Sequence, residues 1–180
     1  MKKMKAYSIS FSGLKIGKHH FDYQIDNTFF QDLDYNEFNA ADLLVELVFE
    51  KKTTLMELEF SVNGHVNVNC DLTNEPFELP LEDQLKLVVK FGDDYNDDNE
   101  EILIIPHGEH EINVSQYIYE MIVLAMPLKK VHPGIEDGTL KSEILDKLEE
   151  LSPSKITDNE NNDDYKDPRW DSLKKLLTDK

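Results

Sequence analysis

Residues 107–111 (His-Gly-Glu-His-Glu) form the densest group of side chains that could ligate a metal ion. A helical zinc site needs two histidines four residues apart, so that both rings lie on one face. Here His107 and His110 are three residues apart. Pro106 precedes the segment and Gly108 interrupts it. The pattern therefore predicts a surface turn, and a weak metal site is the alternative.

Other catalytic patterns are absent from the sequence. It contains no glycine-rich phosphate loop and no Gly-x-Ser-x-Gly nucleophile elbow. Cys70 is the only cysteine, and its place in an alternating segment predicts a small buried strand residue. The pair Asp93-Asp94 lies in an acidic loop without the apolar surroundings that raise a carboxylate pKa for acid–base catalysis. We therefore expect a protein that is not an enzyme, needs no cofactor and has no small-molecule substrate.

Charge is distributed unevenly along the chain, which has 19 Lys and Arg residues, 37 Asp and Glu residues and a formal net charge of −18. The first 20 residues contain no acid and five lysines: Lys2, Lys3, Lys5, Lys15 and Lys18. Because phosphate backbones are bound by clustered cations, this segment is a candidate contact for a nucleic acid. Acidic runs at residues 93–101 and 158–167 predict either solvated loops or a surface for a basic partner protein.

The length of 180 residues suits one domain with a tail. No apolar run approaches the ~18 residues of a membrane span. No apolar stretch follows the basic N-terminus, as it would in a secretory signal. We expect a soluble cytoplasmic protein without a membrane partner. It would have one domain over residues 1–151, an acidic flexible linker over residues 152–166 and a C-terminal amphipathic helix over residues 167–180.

Alternating apolar and polar residues predict several strands in the first two thirds of the chain. Odd-numbered apolar residues between 41 and 49 would share one face, followed by a second run over residues 54–60. Asn63-Gly64 then predicts a hairpin. A three-residue loop with a bulge at Gly64 would pair Phe60 with Val66 and leave one face wholly apolar. Pro80 restricts its segment to a sheet edge or a bend.

Helices are predicted in the last third of the chain. Asn113 and Gln116 suit a capping box for a helix that ends before Pro127. Residues 142–151 have the apolar period of a second helix. Because the strands come first and the helices after, we expect an α+β fold. It would have an antiparallel sheet or partial β-barrel in the N-terminal two thirds, and helices in the C-terminal third.

The C-terminal segment carries the only tryptophan of the chain. Asp167 is a suitable N-cap and Pro168 suits the first helical position. Beyond them lie four side chains that could contact RNA or a protein: Arg169, Trp170, Lys174 and Lys175. The alternative is that the apolar stripe of this helix packs on the protein's own sheet.

Three motifs follow one another along the chain. The first is a strand that ends in Cys-x-x-x-x-Glu-Pro-Phe, with Cys70, Glu75, Pro76 and Phe77. The second is a helix that leads through Pro127 and Lys129 to His132-Pro133. The third is Asp-Pro-Arg-Trp-x-x-Leu-x-x-Leu over residues 167–176. In this order they resemble the YceD family of large ribosomal RNA subunit accumulation proteins.

This resemblance implies a role in the accumulation or processing of large-subunit ribosomal RNA, and the family has no established catalytic residues to carry over. Many members have a Cys-x-x-Cys near the first motif and a Cys pair after His-Pro, which suggests a structural metal. Here Thr73 replaces the second cysteine of the first pair, and no cysteine follows His132-Pro133. We therefore expect no metal.

Three functions follow from these expectations. The first is a non-enzymatic ribosome-assembly factor that binds large-subunit ribosomal RNA or its precursor through the N-terminal lysines and residues 169–175. The second is an acidic module that shields a basic ribosomal protein. The third is a nuclease or other hydrolase that acts on ribosomal RNA.

Overall fold

The computed structural model describes residues 4–99 and 101–152. The chain divides into two units, Met1–Ser142 and Glu143–Lys180. In the first unit the strands are β1 (Ser8–Ser10), β2 (Gly17–Asp26), β3 (Ala40–Lys51), β4 (Leu55–Asn69), β5 (Pro76–Gly92), β6 (Asn96–Asn99), β7 (Ile102–Pro106) and β8 (Glu111–Asn113). Its α-helices are α1 (Asn27–Gln31), α2 (Ser115–Leu124) and α3 (Pro133–Glu136). The second unit contains α4 (Glu143–Leu151), where a helix was predicted.

Six strands form one sheet in the order β2-β3-β4-β5-β7-β6, and β1 pairs with β8 in a separate ribbon. Neighbouring strands are antiparallel except β5 and β7, which are parallel. The fold is therefore α+β, but the sheet is open and mixed, and the predicted partial barrel is wrong. Helices are also not confined to the C-terminal third, because α1 begins where β2 ends.

The inner face of the sheet carries the core, as the alternation predicted. Along β3, Leu43, Val45, Leu47 and Phe49 are buried. They pack in one cluster with apolar side chains from α1, α2 and the β1–β8 ribbon. The other face carries the alternate, mostly polar residues. We call it the open face.

The predicted hairpin at Asn63-Gly64 is wrong, since both residues lie inside the continuous strand β4. Gly64 pairs with Leu43 on one side and Leu81 on the other. The buried side chains of β4 are even-numbered on both sides of Gly64, from Met56 to Val68. The predicted hairpin would have the same parity, so it is the pairing of Gly64 with both neighbouring strands that excludes it.

Pro80 lies within the single long strand β5. Pro80 lies opposite His65 of β4. The other neighbour of β5 is β7, which pairs only with Val88–Gly92. Pro80 therefore lies in a stretch of β5 with a described neighbour on one side only, and the predicted edge position is confirmed.

The N-cap residue of α2 is Val114, whose side chain makes no capping bond, so the predicted N-cap at Asn113 is wrong by one residue. Asn113 Oδ1 accepts hydrogen bonds from the N–H (3.2 Å) and hydroxyl (2.5 Å) of Ser115. Gln116 instead donates to Glu120 one turn later (2.8 Å), so the predicted capping box is wrong. The acidic loop predicted before it contains the exposed strand β6. Across residues 4–99 and 101–152, no helix has the length and apolar character needed to cross a bilayer.

The start of α1 provides a pH-dependent prediction. Asp26 Oδ1 accepts hydrogen bonds from the Thr28 amide (2.9 Å) and hydroxyl (2.5 Å). These bonds, the hydroxyl first, hold the pKa of Asp26 below its ordinary value of 3.8. We expect Asp26→Ala to lower the free energy of unfolding by about 1 kcal/mol at neutral pH. Urea titration would measure this loss.

The sign of the pH dependence follows from the direction of the shift. A carboxyl with a depressed folded pKa stabilises the fold above its unfolded pKa, and this contribution is lost as pH falls through the folded value. The cost of Asp26→Ala should therefore shrink well below pH 3.8. Asp26→Asn retains a neutral cap and is the matched control. Equal losses for Ala and Asn at neutral pH would contradict the capping role.

Candidate functional site

Two motifs that lie some sixty residues apart in sequence meet where β4 ends. The backbone N–H of His132 donates to Cys70 Sγ over 3.4 Å. The His132 ring also lies against the Phe77 ring, with centroids 5.4 Å apart. The Cys70 carbonyl accepts from the Asn74 N–H (2.8 Å), and the Cys70 N–H donates to the Glu75 carbonyl (2.9 Å). These bonds close the turn that carries the chain from β4 into β5.

A second pair of bonds fastens the same junction. The Asp71 N–H donates to the Lys130 carbonyl (2.8 Å), and the Lys130 N–H donates to Asp71 Oδ2 (2.6 Å). His132 is the N-cap residue of α3, and its Nδ1 accepts from the N–H of Gly134, the second helical residue after Pro133 (2.9 Å). The polar groups of this junction bond to one another, so its residues hold the fold together.

Cys70 is buried, as predicted, and its thiol is surrounded by donors. Burial raises the pKa of the Cys70 thiol, but hydrogen bonds oppose this effect. They come from the Thr73 side chain and from the backbone of His132, Leu72 and Thr73. Together they bring the pKa below its ordinary value. The sulfur therefore accepts hydrogen bonds within the junction, and the chain has no second thiol to place beside it.

The residues present do not fit a zinc ion. Thr73 is buried next to Cys70 and supplies a hydroxyl where a Cys-x-x-Cys pair would supply a thiolate. The His132 Nδ1 atom is occupied by the Gly134 N–H. Within the described part of the chain, no three His, Cys, Asp or Glu side chains come together as metal ligands. Residues 107–108 form a turn, and the His107 ring stacks on Phe91.

The N-terminal lysines that the structure describes are exposed. Lys5 lies in a short 3-10 helix, Lys5–Tyr7, whereas Lys15 precedes β2 and Lys18 lies on it. The other predicted contact and motif residues lie outside the described residues: Lys2, Lys3, Asp167, Pro168, Arg169, Trp170, Lys174 and Lys175. The structure thus places two of the predicted lysines together at the start of β2.

The sheet brings further lysines to the same end, which sequence reasoning missed. The start of β2 lies beside the end of β3, where Gly17 pairs with Lys51. Lys90 pairs with Leu55 at the start of β4. We call the following set the basic end: Lys15, Lys18, Lys51, Lys52, Lys86 and Lys90. Of these, Lys51 is in phase with the inner-face residues of β3. The adjacent pair Lys51-Lys52 between two alternating segments was the signal for it.

Three of these lysines also make structural contacts. Lys51 Nζ donates to the carbonyls of Phe11 (2.8 Å) and Leu14 (2.9 Å), which fixes the segment before β2. Lys52 pairs with Glu57 (2.5 Å) and Lys86 with Glu59 (2.9 Å). Hydrogen bonding to Lys86, with smaller effects of Lys18 and Lys52, lowers the pKa of Glu59. Lys15, Lys18 and Lys90 form none of the described ion pairs.

The opposite end of the open face is acidic. Asp22 lies beside Glu46, and Asp26 beside Asp42. We call this set, with two carboxylates from β5, the acidic end: Asp22, Asp26, Asp42, Glu46, Glu78 and Glu82. All six side chains are exposed. The lysines of the open face are therefore gathered at one end, where they are interspersed with Glu50, Glu57 and Glu59, whereas the other end carries carboxylates.

A protein-family model described as the large ribosomal RNA subunit accumulation protein YceD matches residues 58–177, two thirds of the chain. The chain belongs to the YceD family. The match includes the junction of Cys70, Phe77 and His132 and the terminal motif, so the resemblance drawn from these motifs is confirmed. No curated protein and no solved structure shows significant similarity to the chain. The YceD match begins within β4, so the lysines at the start of β2 precede it.

Proposed function

We propose that this protein is a non-enzymatic assembly factor that supports the accumulation of large-subunit ribosomal RNA by binding the RNA or its precursor. The observation that carries the proposal is the basic end of the open face in a protein with a formal net charge of −18. Membership of the YceD family supports the choice of RNA. A cytoplasmic location is part of the proposal, because one buried cysteine requires no oxidising compartment.

The charge separation explains how such a protein would bind RNA selectively. Lysines at the basic end would contact phosphates and release counterions, which supplies affinity without reading sequence. The carboxylates at the acidic end repel phosphate, so RNA would approach the sheet in one orientation. The repulsion also limits nonspecific contact along the rest of the surface. Binding of this kind needs no nucleophile and no metal.

The test uses the three basic-end lysines that form none of the described ion pairs. We expect Lys15→Gln, Lys18→Gln and Lys90→Gln together to weaken binding to a large-subunit ribosomal RNA fragment by roughly tenfold or more at low salt. The slope of log affinity against log salt should also fall by about two, since each lost phosphate contact contributes ~0.7–0.9. Fluorescence anisotropy over a salt series measures both quantities.

The matched control removes the same charge elsewhere, through Lys129→Gln, Lys141→Gln and Lys147→Gln, at three exposed positions outside the basic end. It should leave the salt slope close to that of the unaltered protein. An equal loss in both triple variants would contradict a localised RNA contact. Cleaved RNA after incubation with the pure protein would support the hydrolase alternative and contradict a non-enzymatic role.

The acidic surface favours a second function, the shielding of a basic ribosomal protein. Its carboxylates at the acidic end are exposed, and a cationic protein would be attracted to them. The two functions are compatible, because one end of the open face would hold RNA and other, acidic surfaces would hold protein.

A further inference from the structure

A groove runs along one side of α2, between this helix and the strands β5 to β8. It consists of two adjoining cavities of about 290 and 300 Å³, and Leu103, Gln116 and Tyr117 line both. We call the two together the α2 groove. All of its lining residues belong to the first unit, so the groove is formed within one body.

The floor of the α2 groove is apolar, and one of its apolar side chains is exposed to solvent. Leu103 and Met121 are buried, and Leu85 is half-buried. Leu124, the last residue of α2, is 81% exposed although it lines the groove. A large aliphatic side chain left in water at the end of a groove is a suitable contact for an apolar residue of a partner.

The rim of the groove has one sign of charge. Five of its lining residues are carboxylates: Asp83, Asp97, Glu109, Glu111 and Glu120. The described lining residues include no Lys, Arg or His. None of the five carboxylates takes part in an ion pair within residues 4–99 and 101–152. The negative charge at this groove is therefore not neutralised by a described side chain.

Two tyrosines lie where the cavities join. Tyr95 is 56% exposed and donates to Asp97 Oδ2 over 3.1 Å. Burial raises the pKa of Tyr117, and the nearby Tyr95, Asp97 and Glu120 raise it further. Both rings therefore stay neutral at physiological pH, and the exposed face of Tyr95 could accept a guanidinium by a cation–π contact.

We propose that the α2 groove binds a segment of a partner protein that alternates Lys or Arg with aliphatic residues. The cations would lie against the rim carboxylates, and an aliphatic side chain would cover Leu124. An RNA strand does not suit this groove, because five carboxylates would repel its phosphates. The inference rests on the second proposed function, protein binding, and specifies its site and the chemistry of the partner.

The test measures binding of a labelled synthetic peptide that alternates arginine and leucine to the full chain by fluorescence anisotropy. We expect Asp97→Asn with Glu120→Gln to weaken binding roughly tenfold. Leu124→Ser should weaken it several-fold, and its exposure makes an effect on folding small. The matched control is Glu136→Gln with Glu143→Gln, which removes two exposed carboxylates that lie outside both the groove lining and the acidic end.

Equal loss in the control pair, or no loss with Leu124→Ser, would overturn the proposal. So would equal binding of a peptide with glutamate in place of arginine. A photocrosslinker at position 124 of the full chain adds a direct readout. Crosslinks to a basic protein in cells would support the groove as its site, whereas crosslinks to RNA or to residues 153–180 of the same chain would overturn it.

Failure of the groove can be distinguished from failure of the second proposed function. If a basic ribosomal protein co-purifies equally with the unaltered chain and with Asp97→Asn, Glu120→Gln, protein binding stands and the groove is not its site. If the double variant loses the partner and the control pair retains it, both the function and the site are supported.

Discussion

Gly64→Ala is expected to lower the free energy of unfolding by about 3 kcal/mol. The backbone of Gly64 has a φ of 151°, a conformation that L-residues with a side chain rarely adopt. A Cβ atom there would lie 2.3 Å from the carbonyl oxygen of Asp42 and 2.9 Å from Leu43 Cα. Both atoms belong to the backbone of β3, so relief of the clash requires the two central strands to move apart. Urea unfolding followed by circular dichroism measures the loss.

Gly13→Ala and Gly108→Ala are the matched controls. A Cβ at either position would meet no atom within 4 Å, and neither residue has a positive φ. Each should change stability by no more than about 0.5–1 kcal/mol. A similarly small loss for Gly64→Ala would show that residue 64 is not enclosed between two strands. It would then favour the hairpin at Asn63-Gly64 over the continuous strand.

The same glycine shows how far the sequence could predict this fold. Alternation predicted the buried face of β3 correctly, because apolar side chains in a half-buried strand repeat every two residues. Asn63-Gly64 led to a wrong prediction, because this dipeptide is typical of tight turns. Here the glycine instead occupies a position in an inner strand where a Cβ atom would clash with the neighbouring strand. The unbroken phase from Met56 to Val68 suits both arrangements, so it could not decide between them.

The junction and the groove depend on tertiary contacts that periodicity does not encode. The parallel pairing of β5 with β7 brings α2 close to β5, and nothing in the local sequence of either strand specifies it. The approach of His132 to Cys70 likewise joins residues that are remote in the chain. The motifs were visible in the sequence, whereas their meeting was not.

The basic end was partly predictable. Lys15 and Lys18 were found as a lysine-rich segment, because clustering along the chain is visible in the sequence. Lys90 joins them only through the register of β2, β3, β4 and β5. The correct register in turn required Gly64 to be placed inside a strand. Because Asn63-Gly64 was interpreted as a turn, the position of Lys90 in the candidate RNA surface could not be predicted.

Phe77→Ala is expected to lower the free energy of unfolding by about 3 kcal/mol, because it removes a buried ring from the junction of the two motifs. Phe77 is 6% exposed, lies opposite Val68 of β4 and contacts the His132 ring. Truncation leaves a cavity beneath the segment that leads to α3. Phe77→Leu, which keeps much of the volume, should cost only about 1 kcal/mol. Both values come from urea titrations.

This variant also distinguishes a structural motif from a binding motif. If Phe77 and His132 hold the fold together, the folded fraction of Phe77→Ala should bind large-subunit ribosomal RNA with nearly unchanged affinity. The basic-end lysines would then remain responsible for the salt dependence. Unchanged stability with a tenfold loss of RNA affinity would instead identify the junction as a contact surface. Because the YceD family match includes this junction, the result would decide whether the motif positions the binding surfaces or forms one of them.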